Sequence, residues 1–415
     1  MTVRRLLDET AGLAADYLEG IPQRRVGWSA SVDELRSSLG GPLPEAPADA
    51  REVIAELAAA AEPGLVASPG GRYFGFVIGG ALPVAVAADW LTSVWDQNAG
   101  LYVCGPSAAV AEEVAGAWTA ELLRLPDGVS FGFVTGCQMA HVTALAAARH
   151  AVFARVGWDV NERGLIGAPA VRVVVGAERH ATVDRALRFL GLGSACVVPV
   201  AADAQGRMVP ERLRETLAGT AGPTIVCAQA GNVNTGSFDP FEEIADITQE
   251  TGAWLHIDGA FGLWAAASPT LRHLVVGAER ADSWATDAHK WLNVPYDSGI
   301  VFCAHPEAQR AAMSVLANYL IHADPGGPRD ELDWNPEFSR RARGFSVYAA
   351  IRSLGRSGIA ELIERCCAHA RRFGEVLGAN PNIEVLNDIA LNQTLPYRRD
   401  GSRPGLVTHS SSACH

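Results

Sequence analysis

The stretch Ala281-Asp-Ser-Trp-Ala-Thr-Asp-Ala-His-Lys-Trp-Leu-Asn-Val-Pro-Tyr296 decides how the rest of the chain is read. A short apolar piece, Ser283 to Ala285, runs into a polar knot that stops at His289-Lys290. Apolar residues then resume, followed by Pro295 and the turn formers Asp297, Ser298 and Gly299. Lysine is seldom buried unless it is used. Walled in by Trp284, Trp291 and Leu292, Lys290 is expected to be desolvated, which lowers its pKa and frees the amine to attack a carbonyl. A surface lysine on a loop is the ordinary alternative, and the aromatic flanks argue against it.

Upstream, Ala253-Trp-Leu-His-Ile257 is an apolar run that reads as a buried strand. It places Asp258 at a strand's carboxyl end, where open α/β sheets bind their ligands. A carboxylate there can pair with a cationic ring nitrogen, the partner that a pyridoxal phosphate ring needs. A strand-end Asp that caps the next turn is the plain alternative. His256 and Asp258 as metal ligands would need a third ligand, and none is in view, so no metal is expected.

With Asp258 and Ala260 followed by His289-Lys290, the chain resembles the group II pyridoxal-phosphate-dependent amino acid decarboxylases. These include the aromatic-L-amino-acid, glutamate and tyrosine decarboxylases. The resemblance runs from about Arg72 to about Gln393. It implies pyridoxal 5'-phosphate as cofactor and an α/β fold of the fold-type I class, with a mixed, mostly parallel central sheet flanked by helices. It also implies a Schiff base at Lys290 and a ring nitrogen kept protonated by Asp258, beside Ala260. The substrate is then an L-amino acid that leaves as an amine and carbon dioxide.

Three further segments fall in the order this family requires. Thr135-Gly-Cys-Gln138 lies between an apolar run and a helical one. Glycine lets backbone approach a phosphate, and free N–H groups at a helix start bind it. The family shows Gly-Gly-Ser/Thr followed by Glu-Ala-Asn here; this chain has Gly136-Cys137-Gln138 and then Met139-Ala140-His141. His180, just after the run Val171 to Val175, matches the family histidine that lies over the cofactor ring and joins in proton traffic. In Gly231-Asn-Val-Asn-Thr-Gly236, Asn232 and Asn234 stand where the family has a Gly-Thr-Thr-like turn near the ring hydroxyl; a simple Asn/Gly turn is an equal alternative. Around the phosphate the resemblance places Gly136, Cys137, His289 and Thr286 or Asp287. Lys290 and His180 are the expected catalytic pair, with Asn234, Asp258 and Ala260 completing the cofactor site.

Composition narrows the class. The chain has 415 residues, 48% hydrophobic and 19% charged, which suits a globular enzyme with a sizeable core. A net charge of −12 argues against nucleic acid or anionic membrane as partner. Asp8 and Glu9 interrupt any apolar leader, no stretch reaches membrane-spanning length, and the eight cysteines show no Cys-x-x-Cys spacing. Free thiols of this kind fit a cytoplasmic protein.

Taken in order, residues 1–70 read as a helix, a Gly/Pro linker and a second helix. In the family such an arm wraps the partner subunit of a homodimer. Residues 71–320 read as the large cofactor-binding domain. Strands are expected near 129–134, 171–175, 195–200, 224–229, 253–258, 282–286 and 298–303, and helices near 138–154, 181–190, 209–218 and 241–251. Residues 321–393 hold the family's mobile loop and the start of a small domain. Aligning Trp334, Arg340, Arg341 and Arg343 on the family pattern puts Glu331 where a loop tyrosine acts as acid, with His322 a substitute. Helices are expected over 344–355 and 359–377, a strand over 383–386, and an irregular tail over 394–415. The missing tyrosine leaves an aldehyde-forming or aminotransferase-like reaction open, and the short tail leaves open an impaired family member.

Overall fold

The computed structural model describes residues 2–219, 221–315 and 327–399. Short, mainly apolar runs form a seven-stranded sheet whose inner strands are buried on both faces. Its strands are β1 (Ser130–Val134), β2 (Arg172–Gly176), β3 (Val197–Val200), β4 (Thr224–Gln229), β5 (Trp254–Asp258), β6 (Ser283–Asp287) and β7 (Gly299–Cys303). The order is β1-β7-β6-β5-β4-β2-β3. β3, β2, β4, β5 and β6 run parallel, while β7 is antiparallel to both β6 and β1. All seven expected strands are present, and the sheet is mixed and mostly parallel.

The helices of the sheet-bearing part are α4 (Pro83–Trp95), α5 (Pro106–Leu122), α6 (Cys137–Ala154), α7 (Val160–Arg163), α8 (Ala181–Phe189), α9 (Pro210–Leu217), α10 (Phe241–Thr251), α11 (Pro306–Met313) and α12 (Gly344–Gly378). The core packs Leu145 and Val152 of α6 and Val183 and Leu187 of α8 on Val173, Val175, Ile225 and Trp254 of the sheet. At the edge, Arg340 is stapled inward. Its guanidinium donates to Glu112 Oε2 at 2.7 Å, Ala99 O at 2.8 Å and Phe133 O at 2.6 Å. Neither charged side chain of that pair is exposed.

The described residues up to Gly80 form one compact unit and those from Ala81 another. The first holds α1 (Val3–Gly20), α2 (Val32–Leu39) and α3 (Ala50–Ala61), so three helices stand where two were expected. The missed α2 carries a capping box: Ser31 Oγ accepts from Glu34 N, and Ser31 N donates to Glu34 Oε2. The expected helices over 344–355 and 359–377 are one span, α12, broken only at Gly355, whose φ of 63° lies in the left-handed region. The tail is also more ordered than expected. Pro396–Arg398 forms β9, antiparallel to β8 (Ile383–Val385). From residue 400 it lies outside the described residues, as does His322.

Candidate active site

The site forms where β1, β5 and β6 end together. β6 delivers Asp287, and the chain turns at once into His289 and Lys290 before returning as β7. Lys290 Nζ lies 2.9 Å from Asp287 Oδ2 and 5.9 Å from the centre of the Phe261 ring. Burial lowers the lysine pKa, but Asp287 above all, with Cys137 and Asp258, more than compensates, and the net direction is upward. This corrects the sequence expectation of a lowered pKa. Apolar walls are present, but a carboxylate bonded to the amine outweighs them. The chain's basic residues hold a plainer signal that spacing arguments passed over: Lys290 is its single lysine.

Asp287 also gathers the phosphate loop. Its Oδ1 accepts the N–H of Cys137 at 2.6 Å, the first residue of α6, and lies 3.4 Å from His289 Nε2. His289 Nδ1 accepts the Ser298 N–H at 3.2 Å, which leaves Nε2 to carry its proton toward Asp287. Burial lowers the His289 pKa, with Asp287 opposing. The glycines permit this crowding. A Cβ on Gly136 would meet His289 Cε1 at 3.1 Å, and one on Gly299 would meet the Gly136 backbone at 2.5 Å. Two buried hydroxyls here, Thr286 Oγ1 and Ser298 Oγ, have no hydrogen-bond partner. The N-terminal end of α6, a backbone stripped of Cβ atoms and orphaned hydroxyls suit a phosphate. Gln138 does not replace the family hydroxyl; its Nε2 donates to Thr182 O at 3.2 Å.

Opposite stands Asp258 at the end of β5. Its Oδ1 accepts the Ala260 N–H at 3.1 Å, and its Oδ2 lies 3.5 Å from His141 Nε2. Burial pushes its pKa up, but His141, His180 and Lys290 prevail and hold it below the ordinary carboxylate range. It is therefore an anion throughout the physiological range, fit to face a cationic ring nitrogen. Cys137 Sγ sits 3.8 Å from Asp258 Oδ1, and its thiol is pushed well above its usual pKa by burial and then by Asp258 and Asp287. It is a protonated, inert filler rather than a nucleophile.

His180 caps α8 from its own side chain. Nδ1 accepts from Thr182, at 2.8 Å from Oγ1 and 3.4 Å from N, which leaves the proton on Nε2. The residue is exposed on one side, and the cleft on the other lowers its pKa by burial, with Asp258 opposing and Lys290 reinforcing. Lys290, Asp258 and His180 thus share one field. Asn234 lies in a turn, where its N–H donates to Asn232 Oδ1 at 2.9 Å and the residue is exposed. Glu331 does not join the cluster either. It is buried with Arg329 Nε at 2.9 Å, and its other charged neighbours are Glu112 and Arg340. Sequence reasoning missed His141 and Ser283, which support Asp258 from behind.

A family model described as the pyridoxal-dependent decarboxylase conserved domain matches residues 34–394. Tryptophan decarboxylase 1 of Oryza sativa subsp. japonica is 27% identical over 409 residues, covering 92% of this chain and 78% of that protein. Aromatic-L-amino-acid decarboxylase of Bacillus atrophaeus is 27% identical, covering 94% and 80%. Acidic amino acid decarboxylase GADL1 of Bos taurus is 30% identical, covering 76% and 61%. Among solved structures, Oryza sativa TDC with PLP and tryptamine is similar with a TM-score of 0.88, at 25% identity over 94% of this chain and 82% of that one. Mouse CSAD is similar with a TM-score of 0.85 at 26% identity, over 94% and 81%.

Proposed function

The chain belongs to the pyridoxal-dependent decarboxylase family, as a pyridoxal-phosphate-dependent lyase, and from that premise we propose that Lys290 holds the cofactor by a Schiff base while an L-amino acid loses its carboxylate. The products are carbon dioxide and the corresponding amine. The observation that carries this reading is the chain's single ε-amine, 2.9 Å from Asp287, in one field with the anionic Asp258. Pyridoxal phosphate supplies the electron sink that lets a bond at an amino acid α-carbon break.

The chain's own residues divide the remaining work. Asp258, an anion, would accept a ring N–H and keep that nitrogen cationic. Asp287 holds the Lys290 ammonium in place at 2.9 Å, and the lysine must lose that proton before its amine can attack. Gly136, Cys137, Thr286, Ser298 and His289 would surround the phosphate. His180, with its proton on Nε2, would cover the ring and could relay a proton there. The helical arm before Gly80 is read as the surface that meets a second subunit in a homodimer, and the cytoplasm as its compartment.

The test starts from the protein purified with pyridoxal phosphate. A visible absorption band should appear, borohydride should abolish it, and the reduced label should map to Lys290. Lys290→Ala should lack the band; a band retained there removes the site assignment. Product analysis over the amino acids should then find an amine and carbon dioxide. An aldehyde with ammonia, or a keto acid, would replace simple decarboxylation by the other reactions open to this cofactor.

A further inference from the structure

Behind Asp258 lies a row of buried polar side chains that the reaction as read above does not use. Trp254 Nε1 is 2.9 Å from Ser283 Oγ, Ser283 Oγ is 2.9 Å from His256 Nδ1, and His256 Nε2 is 2.9 Å from His141 Nδ1. His141 Nε2 then lies 3.5 Å from Asp258 Oδ2. Trp254, Ser283, His256 and His141 are wholly buried. We infer that these groups form a one-way chain of hydrogen bonds, Trp254 to Ser283 to His256 to His141 to Asp258, and that His141 is a positioning residue that fixes the orientation of the Asp258 carboxylate.

The direction follows from the two ends. Indole N–H can only donate, so Ser283 Oγ accepts there. If His256 also donated to that oxygen, the Ser283 hydroxyl proton would be buried with no acceptor, which costs about 1–3 kcal/mol. Ser283 therefore donates to His256 Nδ1. His256, neutral, carries its proton on Nε2 and donates to His141 Nδ1, and His141 in turn carries its proton on Nε2. At the far end an ionised carboxylate can only accept, which demands that same proton. Each of the four links then holds one proton, and none is left over. Asp258 then accepts the Ala260 N–H on Oδ1 at 3.1 Å and has the neutral His141 Nε2–H facing Oδ2 at 3.5 Å, the same distance as that nitrogen lies from Cys137 Sγ, so its plane is set without a cation that would compete for its charge.

The same direction decides against a second reading of the cluster. Cys137, His141 and Asp258 place one ligand-type atom each within 4.8 Å of one another, all buried, as a metal site would. A metal needs a lone pair on His141 Nε2, and the chain puts a proton there. The inference concerns this chain's own residues. It rests on the reading of Asp258 as the ring-nitrogen partner, but its first test does not.

That test is nitrogen NMR of the cofactor-free protein labelled in histidine, assigned with His141→Asn and His256→Asn. Both rings should report the neutral form with the proton on Nε2. An imidazolium at His141, or a proton on Nδ1 of either ring, overturns the chain. Zinc bound one to one by the cofactor-free protein and lost in His141→Asn overturns it as well. The second test is fluorescence titration with pyridoxal phosphate. A hydrogen bond to a charged group contributes about 1.5–3 kcal/mol, or roughly 10- to 100-fold in affinity. His141→Leu should weaken cofactor binding by at least that lower factor, and His141→Asn, which retains a donor, should recover part of it. Equal affinity in His141→Leu and the wild type would overturn the positioning role, while the Lys290 labelling would still report on the cofactor site itself.

Discussion

Asp287 bonds to Lys290 through one oxygen and to the start of α6 through the other, with Nζ at 2.9 Å from Oδ2 and Cys137 N at 2.6 Å from Oδ1. One carboxylate therefore couples the amine to the phosphate loop. Because the chain has a single lysine, its carbon-labelled side chain gives one Cε resonance to titrate. In the cofactor-free wild type this resonance should titrate above the ordinary lysine value of 10.5, since Asp287 overcomes burial. In Asp287→Asn burial is left to act with less opposition, and the titration should move down. An unchanged midpoint would show that Asp287 does not set the amine's charge.

The Arg340–Glu112 pair is the structural counterpart of that site, and no side-chain surface of either residue reaches solvent. Glu112→Ala leaves a guanidinium buried without its carboxylate, and a loss of about 3–5 kcal/mol is expected in urea unfolding. Replacing the two together by apolar residues of similar volume should cost far less. A single-variant loss below about 1 kcal/mol would mean that Ala99 O and Phe133 O satisfy the arginine by themselves.

Acid sensitivity follows from His256. Burial pushes its pKa down to about 3 from 6.5. The folded state keeps the ring neutral while the unfolded chain protonates it, so this contribution is complete above pH 6.5 and is lost as pH falls toward 3. Its share of the slope is at most about 1.4 kcal/mol per pH unit. His256→Gln should flatten the fall in unfolding free energy between pH 6.5 and 5 relative to the wild type; parallel profiles would place the acid sensitivity elsewhere.

Gly299 opens β7 directly against the phosphate loop. A Cβ there would sit 2.5 Å from the Gly136 backbone, which has no flexible end to move. Gly299→Ala should cost about 1–3 kcal/mol by overpacking and weaken pyridoxal phosphate binding by displacing Gly136. Titration with the cofactor checks it, and wild-type affinity would show that the loop gives way without consequence.

The sheet was legible because its strands are buried on both faces and read as short apolar runs between turn formers, as in Val171 to Val175 and Ala253 to Ile257. Lys290, Asp258 and His180 were legible because each ends such a run. What stayed hidden came from long-range pairing. The pKa of Lys290 turned on a carboxylate three residues earlier whose side chain happens to point back at the amine. His141 looked like a helix residue until β5 brought His256 behind it. Asn232 and Asn234 could not be told from a turn by type alone, and the structure makes them one. The tail looked patternless because Pro396–Arg398 is too short to show alternation.

The antiparallel placement of β7 also bears on the order in which the site comes together. Asp287 pairs with Gly299 across the short turn that carries Lys290, whereas Val134, two residues before Gly136, reaches the same Gly299 only from far back in the sequence. Closing a short loop loses less chain entropy than closing a long one, and local pairings form sooner. The lysine hairpin is thus expected to fold early and to serve as the template on which the phosphate-binding half docks. In pulsed hydrogen exchange during refolding, the Thr286 amide should gain protection before that of Phe133.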